Sequence, residues 1–199
     1  MLKRAFDFSA ALVGLVLLAP LLLALALWIK LDSPGPVLFR QERVGRGGRL
    51  FRIHKFRTMV HDPAGSGLPL TVGQDARITR AGRFLRRYRL DELPQLIDVL
   101  RGQMSLVGPR PEVPRYVALY PEHLRDKLLS VRPGLTDPAS LAHLDESERL
   151  GRASDPERTY VEEILPAKLR LSAQYVDHAR LATDVRVLWR TLCRVWAGR

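Results

Sequence analysis

The segment Phe8–Ile29, with the sequence FSAALVGLVLLAPLLLALALWI, contains no charged residue and a single polar side chain, Ser9. As a helix, its 22 residues would extend about 33 Å, which is long enough to cross a bilayer. The run is longer than the roughly 7–15 apolar residues of a signal-peptide core. The sequence therefore predicts a retained membrane segment at the start of the chain.

Pro20 divides this apolar run into two unequal halves. Proline has no N–H group, so the carbonyl of Val16 would lose its helical partner. Basic residues flank both ends, with Lys3 and Arg4 before the run and Lys30 after it. A segment that enters the membrane and returns would place both flanks in the cytoplasm. A kinked helix that spans the bilayer fits the same residues, so both arrangements remain open.

The composition indicates a basic globular protein. Among 199 residues, 32 Lys and Arg against 21 Asp and Glu give a net charge of +11. Such a charge points to nucleic acid, a phosphorylated substrate or an acidic lipid surface as partner. Hydrophobic residues make up 46% of the chain, which excludes disordered and low-complexity classes. The single Cys193 excludes an internal disulfide.

After the apolar segment, two β-prone stretches, residues 37–41 and 50–56, flank the glycine-rich turn at residues 45–49. This pattern predicts a β-hairpin. Its glycines match neither GxGxxG nor GxxxxGK[ST], so neither a dinucleotide-binding fold nor a Walker loop is supported. Residues 62–73 predict a loop. We expect a mixed α/β, predominantly helical fold.

An arginine-rich stretch, residues 75–89, ends at two adjacent carboxylates, Asp91 and Glu92. The leucine and isoleucine spacing that follows predicts a helix, with Pro94 in its first turn. The carboxylates would then lie at a helix N-terminus, where the dipole favours ionised groups and phosphates bind. An ordinary helix cap has the same spacing.

Arg110 is framed by Pro109 and Pro111. Two prolines restrict the backbone on both sides of the arginine and would hold it in a stiff turn. A guanidinium held in this way loses little freedom when it binds a pyrophosphate. The turn therefore suits a binding site better than a plain surface charge.

Several motifs occur together and in a fixed order. They are Lys3-Arg4-Ala-Phe6-Asp7, Gln41-Glu-Arg43-Val-Gly45, Lys55-Phe56-Arg57-Thr58-Met59, Leu90-Asp91-Glu92-Leu93-Pro94-Gln95-Leu96, Gly108-Pro109-Arg110-Pro111 and Arg132-Pro133-Gly134-Leu135-Thr136. In this order they resemble the bacterial sugar transferase family, the monotopic phosphoglycosyl transferases. The resemblance is dense from Lys3 to Pro111 and looser toward the C-terminus.

The resemblance implies transfer of a phosphosugar from a nucleotide diphosphate sugar, usually a UDP-sugar, to polyprenyl phosphate, with undecaprenyl phosphate as the expected lipid. The products would be a polyprenyl diphosphate sugar and UMP. Asp91 would be the nucleophile that forms a covalent phosphosugar intermediate, and Glu92 would hold Mg²⁺ against the diphosphate. No nucleic acid is implied as partner, and the oligomeric state stays open.

The resemblance also implies a location in the inner membrane. Residues 1–34 would form a re-entrant helix–break–helix with its break at Ala19-Pro20 and both ends in the cytoplasm. Residues 35–199 would form a cytoplasmic catalytic domain on the membrane surface.

Five basic residues are candidates for contacts with substrate phosphates: Arg110, Arg86, Lys55, Arg57 and Arg43. Arginine binds phosphate through two parallel hydrogen bonds, which suits this role. Structural salt bridges are the alternative for each of them.

Three departures from the family pattern limit what can be carried over. The membrane segment has Ala19 where the family has serine before the proline, and Gln103 replaces a common acidic residue. Residues 137–140, Asp-Pro-Ala-Ser, replace a frequent Gly-Trp-Ala-Gln. Sugar specificity is therefore not transferred by analogy.

The C-terminal stretch predicts an amphipathic helix. Its apolar face comprises Val185, Leu188, Trp189, Leu192, Val195 and Trp196, and its basic face comprises Arg186, Arg190 and Arg194. The pattern is typical of an interfacial membrane helix and equally of a helix packed on a core.

Two other functions use the same charges. A membrane-tethered protein that binds nucleic acid or anionic lipid would explain the basic charge, but not a carboxylate pair within it. A hydrolase of lipid phosphates or pyrophosphates would differ from the transferase in using water as acceptor.

Overall fold

The apolar segment forms the middle of one helix, α1 (Leu2–Asp32), in the computed structural model. The helix continues through Pro20, so the predicted break at Ala19-Pro20 is not seen as an interruption of helical structure. Proline costs the helix one backbone hydrogen bond but has a helix-compatible φ, and membrane helices tolerate it. The helix is long and apolar enough to cross a membrane, and its re-entrant course stays a prediction.

The structure describes residues 1–60, 73, 75–143 and 145–196. Strands β1 (Leu38–Val44) and β2 (Leu50–Phe56) pair antiparallel, which confirms the predicted hairpin. Their connection contains a short 3₁₀ helix, Arg46–Gly48, in which Gly47 and Gly48 have φ of 66° and 75°. The loop predicted at residues 62–73 lies outside the described residues, apart from Gly73.

The remainder of the described chain is mainly short helices, so the predicted mixed and predominantly helical fold is confirmed. In chain order the elements are α2 (Arg80–Arg87), a 3₁₀ helix (Leu90–Gln95), α3 (Leu96–Leu100), β3 (Ser105–Val107), α4 (Pro114–Val117), α5 (Glu122–Leu129), β4 (Gly134–Thr136), α6 (Pro138–Ala142), α7 (Glu146–Arg152), α8 (Pro156–Thr159), a π-helical turn (Tyr160–Ile164), α9 (Leu165–Asp177) and α10 (Leu181–Trp196).

One face of α1 is buried toward both ends of the helix and no more than half-buried between them. Ala11 belongs to the core that includes Val99 and Met104, whereas Leu25 and Ile29 belong to a second core with Phe56 and Leu85. The opposite face is exposed and apolar; its side chains include Leu12, Val13, Val16, Leu17, Leu23 and Leu27. The helix is therefore attached to the rest of the chain on one side only.

Polar bonds fix the N-terminal end of α1. Lys3 Nζ lies 2.5 Å from Asp184 Oδ2. Arg4 donates to the carbonyls of Val99 and Leu100, at 2.6 and 2.9 Å. These bonds tie the first turn of α1 to α3 and α10.

Asp7 extends this attachment to β3. Its carboxylate accepts a hydrogen bond of 2.8 Å from the Ser105 hydroxyl and one of 3.2 Å from the Leu106 amide. Asp7 is 2% exposed, so these donors replace the water that the carboxylate loses on burial.

The C-terminal end of α1 is fixed to the same body. The Arg57 guanidinium donates to the carbonyls of Ser33 and Pro34, at 2.7 and 2.6 Å. Asp32 accepts from the Ala81 amide at 3.0 Å. Both ends of α1 are thus bonded to the part of the chain that follows it.

Helix α10 packs against β3 and β4 through one side. Val187 is buried there, whereas Val185, Trp189 and Leu192 of the predicted apolar face are exposed. The side chains of Val195 and Trp196 lie outside those described. The exposed face is compatible with a membrane interface, which stays a prediction.

Strands β3 and β4 form a parallel pair, with Ser105 opposite Gly134 and Val107 opposite Thr136. The Gly134 amide donates to the carbonyl of Pro109 at 2.9 Å. The turn that carries Arg110 therefore leaves β3 against the backbone of β4.

We expect Gly134→Ala to destabilise the fold by about 3 kcal/mol, because overpacking cannot be relieved where the neighbour is backbone. A Cβ at Gly134 would lie 2.1 Å from the Gly108 nitrogen. Thermal unfolding in detergent measures the loss. Gly14→Ala is the matched control, since its Cβ would meet only Leu96 Cδ1 at 3.4 Å. Equal stability of the two variants would contradict the prediction.

Candidate active site

The carboxylate pair lies in the first turn of the 3₁₀ helix Leu90–Gln95, which leads directly into α3. The predicted helix start is confirmed, but its first turn is 3₁₀, since Pro94 supplies no amide for an α-helical bond. Arg89 connects this helix to α2 with a left-handed φ of 52°. It is the one non-glycine residue with such a φ among those the structure describes.

Asp91 and Glu92 are both buried and both contact Lys55. The Lys55 Nζ lies 2.8 Å from Asp91 Oδ2 and 3.4 Å from Glu92 Oε1. Asp91 is 3% exposed. Strand β2 supplies the lysine, so the hairpin places a cation against the predicted nucleophile.

Arg110 binds Glu92 through both ends of its guanidinium. Its NH1 lies 3.4 Å from Glu92 Oε2, and its NH2 makes a closer contact with Oε1. Arg89 NH1 adds a third cation, 3.6 Å from Glu92 Oε2. Four predicted site residues, Asp91, Glu92, Lys55 and Arg110, are thus brought together.

These charges shift the pKa values of Glu92 and Arg110 in opposite directions. Burial alone would raise the pKa of Glu92, but the charges of Arg110, Lys55 and Arg89 hold it well below its usual value of 4.5. The charge of Glu92 raises the pKa of Arg110 despite its burial. Glu92 and Arg110 are therefore both ionised at neutral pH.

Arg43 supports the proline-framed turn. Its NH1 donates to the Pro111 carbonyl at 3.1 Å and to Glu112 Oε2 at 3.3 Å, and its NH2 donates to Gln41 Oε1 at 2.6 Å. Pro109 is held from the other side by β4. The two prolines of the turn are thus fixed through their carbonyl oxygens.

Arg86 lies in the cleft with the pair. Its Nε donates to the Thr58 hydroxyl at 2.8 Å. Burial lowers the pKa of Arg86, although the charge of Asp91 opposes this shift. Arg57, by contrast, does not line the cleft, and its guanidinium is bonded to the chain after α1. Pro20 lies in α1 and also does not line the cleft.

Asp91 and Glu92 line a cleft of about 1060 Å³. Beside the predicted site residues, its walls include Arg83, Arg87, Arg89, Glu112, Tyr116, Ser140, His143, Glu146, Tyr160 and Lys168. The sequence reasoning gave none of these residues a role. The arginine-rich stretch signalled the first three as a group, but their positions come only from the fold.

The far wall of the cleft is a buried polar network around Glu112. The Tyr160 hydroxyl donates to Glu112 Oε1 at 2.6 Å, and Lys168 Nζ lies 3.8 Å from the same oxygen and 2.9 Å from Glu146 Oε2. Burial would raise the pKa of Glu112, but Lys168, Arg43 and Tyr160 lower it overall. The cleft therefore combines a cationic wall with a hydrogen-bonding one.

The arrangement suits chemistry on a diphosphate. An exposed edge of a buried carboxylate can attack phosphorus, and the surrounding lysine and arginines can neutralise phosphate oxygens. The described residues contain no group of three or more potential metal ligands. Mg²⁺ commonly takes one or two carboxylates together with substrate phosphates, so Asp91 and Glu92 fit such an ion.

Comparisons with known proteins show which family the chain resembles. The sequence profile of the bacterial sugar transferase family matches residues 1–198. A UDP-N-acetylgalactosamine-undecaprenyl-phosphate N-acetylgalactosaminephosphotransferase of Aeromonas hydrophila is 38% identical over 99% of the chain, which spans 44% of that relative.

Two further relatives match nearly the whole chain. A UDP-glucose:undecaprenyl-phosphate glucose-1-phosphate transferase of Caulobacter vibrioides is 42% identical over 96% of the chain and 68% of its own length. An exopolysaccharide production protein, PSS, of Rhizobium leguminosarum bv. phaseoli is 40% identical over 96% of the chain and 93% of its own length.

We expect the stability of the fold to fall in acid partly through Glu92. Its pKa is depressed in the folded chain, so its contribution is complete above about pH 4.5 and is lost as pH falls through the folded value. Glu92→Gln should lower the free energy of unfolding at neutral pH by about 3 kcal/mol. Its stability should also fall less than that of the wild type as the pH is lowered. Thermal unfolding between about pH 6 and pH 3 tests this. Exposed Glu122→Gln is the control, and parallel profiles for Glu92→Gln and the wild type would contradict it.

Proposed function

The chain belongs to the bacterial sugar transferase family, and on this basis we propose that it transfers a phosphosugar from a nucleotide diphosphate sugar to polyprenyl phosphate. The products are a polyprenyl diphosphate sugar and a nucleoside monophosphate, UMP for a UDP-sugar. The observation that carries this proposal is the buried Asp91–Glu92 pair, held by Lys55 and Arg110 at the base of a basic cleft.

In the first step an Asp91 carboxylate oxygen attacks the β-phosphorus of the donor. A bond forms between that oxygen and phosphorus, and the bond from phosphorus to the oxygen bridging the two phosphates breaks. UMP leaves with this electron pair. The sugar phosphate remains on Asp91 as an acyl phosphate ester, so one displacement is divided into two.

In the second step a phosphate oxygen of polyprenyl phosphate attacks the same phosphorus. The Asp91 oxygen leaves as a carboxylate, and the sugar phosphate is joined to the lipid through a new diphosphate bond. Neither step needs a net proton transfer at Asp91, since the residue begins and ends as a carboxylate. Water in place of the lipid would give the hydrolase.

The basic residues hold the diphosphate during these steps. Lys55 contacts both carboxylates. As the ester forms, its ammonium group can therefore stop donating to Asp91 and donate to a phosphate oxygen instead. Arg110 is held on Glu92 and lines the same cleft, so its guanidinium is already in place to neutralise a phosphate oxygen of the donor. Arg86 reaches the cleft from α2 and suits a second phosphate.

Glu92, with Asp91, is the proposed ligand set for Mg²⁺. Mg²⁺ supplies neutralisation of diphosphate charge when it is bound. A metal held by Glu92 would share its carboxylate with Lys55 and Arg110, which contact it in this structure. The low pKa of Glu92 keeps it ionised as a ligand at neutral pH.

The names of the relatives support undecaprenyl phosphate as acceptor and UDP-sugars as donors. They differ in the sugar, which is N-acetylgalactosamine in one relative and glucose in another. The chain spans less than half of the Aeromonas protein, so the activity is proposed from the shared region. UDP-glucose and UDP-N-acetylgalactosamine are the first donors to test.

The attachment of α1 supports a monotopic position in the membrane. Its first turn is bonded to α3 and α10, and its last turn is bonded to Arg57 and Ala81. A helix that crossed the bilayer would carry one of these polar attachments to the far side. We therefore propose that both ends stay on the cytoplasmic face of the inner membrane and that the exposed faces of α1 and α10 enter the lipid.

We expect Asp91→Asn to lower lipid-dependent UMP release by about a thousandfold or more, since an amide does not form the phosphosugar ester. Intact-mass spectrometry of the wild type with donor alone should show one added phosphosugar, absent from Asp91→Asn. Asp126→Asn, which changes an aspartate outside the cleft, is the matched control.

Three outcomes would contradict the transferase. If the phosphosugar adduct of the wild type also forms on Asp91→Asn, Asp91 is not the nucleophile. UMP release that is indifferent to polyprenyl phosphate would favour hydrolysis. Binding of nucleic acid without turnover of any UDP-sugar would favour the tethered binding protein.

We expect both ends of α1 to lie on the same side of the membrane. Leu2 and Leu31 are exposed, and each can be changed to cysteine in a Cys193→Ser background. A membrane-impermeant maleimide should label neither in intact spheroplasts and both after permeabilisation, and the wild-type Cys193 reports the side of the domain. Labelling of one end from outside intact spheroplasts would show a spanning helix.

A further inference from the structure

A second pocket, of about 510 Å³, shares no lining residue with the cleft of Asp91. It lies between the β1–β2 turn and the segment that follows α3. We propose that this pocket binds the phosphate headgroup of an anionic phospholipid. The inference does not rest on the transferase activity.

Four arginines line the pocket: Arg46, Arg49, Arg101 and Arg132. None of the described residues that line it is acidic, and none of these four arginines forms an ion pair with a described carboxylate. Elsewhere in the described chain, arginines such as Arg110 and Arg77 are paired with carboxylates. A concave surface with several unpaired cations attracts a compact anion, and guanidinium groups fit phosphate oxygens.

Two of these arginines are bonded to the walls of the pocket. Arg132 is partly buried, and its Nε donates to the Gly102 carbonyl at 2.8 Å. This bond holds the guanidinium of Arg132 in place. Arg101 NH1 lies 3.3 Å from His54 Nε2. Arg46 and Arg49 flank the open turn, where a Cβ placed on Gly47 would meet no atom within 4 Å. The pocket is therefore bordered by one partly buried arginine, Arg132, and three exposed ones, of which Arg101 contacts His54.

Gln103 adds no negative charge to the wall of the pocket. It is an exposed residue, and its side chain is neutral. An acid at this position would sit among the four arginines and supply a carboxylate from the protein itself. Its absence leaves the charge of the pocket to be balanced from outside the chain.

The position of the pocket favours a lipid over a free phosphate. A Cβ placed on Gly102 would lie 3.4 Å from Arg4 NH2, so the pocket adjoins the first turn of α1. Arg4 in turn lies 5.9 Å from the centre of the Phe8 ring, where the exposed apolar face begins. Leu50 is 56% exposed at the pocket itself. A headgroup bound by the arginines would leave its acyl chains beside apolar surface.

The test titrates the purified full chain in a neutral maltoside detergent, with binding followed by calorimetry. Short-chain phosphatidylglycerol, short-chain phosphatidylcholine and inorganic phosphate are titrated separately. We expect the wild type to bind phosphatidylglycerol about tenfold more tightly than either of the others. Tighter or equal binding of inorganic phosphate would overturn the lipid as the source of the anion.

Two variants locate the binding. Gln103→Glu adds an acid to the pocket and Arg49→Gln removes a cation, and each should weaken phosphatidylglycerol binding by about threefold to tenfold. Both side chains are exposed, so both variants should fold. Arg170→Gln, an exposed arginine of α9 outside both pockets, should bind as the wild type does.

The proposal stands only if both pocket variants bind more weakly than Arg170→Gln. If they bind equally, the lipid interacts elsewhere on the basic surface and the pocket is not its site. Asp91→Asn should retain full phosphatidylglycerol binding. Failure of the lipid site is therefore distinguishable from failure of the proposed transferase.

Discussion

The ion pair between Glu92 and Arg110 joins two segments that lie 18 residues apart in the sequence. Glu92 lies in the first turn of the helix that leads into α3, and Arg110 lies in the segment between β3 and α4. Lys55 adds the hairpin to the same pair. Burying a carboxylate pair is costly, and loss of one partner would leave an unbalanced charge in the interior. The three elements are therefore held in one arrangement, in which Asp91 lies against Lys55.

This balance also prepares the site for an anion. Lys55, Arg89 and Arg110 exceed the two carboxylates by one positive charge, and Arg86 adds another in the same cleft. A diphosphate brings the negative charge that completes the set. The cations that hold the buried carboxylates in the fold are therefore the same ones that would receive the phosphate oxygens.

Local chemistry predicted much of the site, whereas distant contacts were beyond its reach. The glycine-rich turn, the helix start at Pro94 and the stiff Arg110 turn each follow from a few adjacent residues. The Tyr160–Glu112 bond joins residues 48 positions apart, and no short pattern indicates it. Arg57 shows the same limit. Its motif predicted a contact with a substrate phosphate, whereas in the fold its guanidinium donates to the backbone carbonyls that follow α1. The predicted break at Pro20 does not interrupt the helical structure of α1, because a helix can lose one backbone hydrogen bond and continue.

The contact between Asp7 and β3 means that α1 is not an interchangeable anchor. Asp7 accepts from the amide of Leu106, four residues before Arg110, and Lys3 neutralises the buried Asp184. A chimaera that grafted a generic membrane helix in place of α1 would leave that amide without an acceptor and that carboxylate without its cation. Removing α1 to make the protein soluble would do the same. The N-terminal helix is thus part of the scaffold that supports the candidate active site, and its opposite face is apolar.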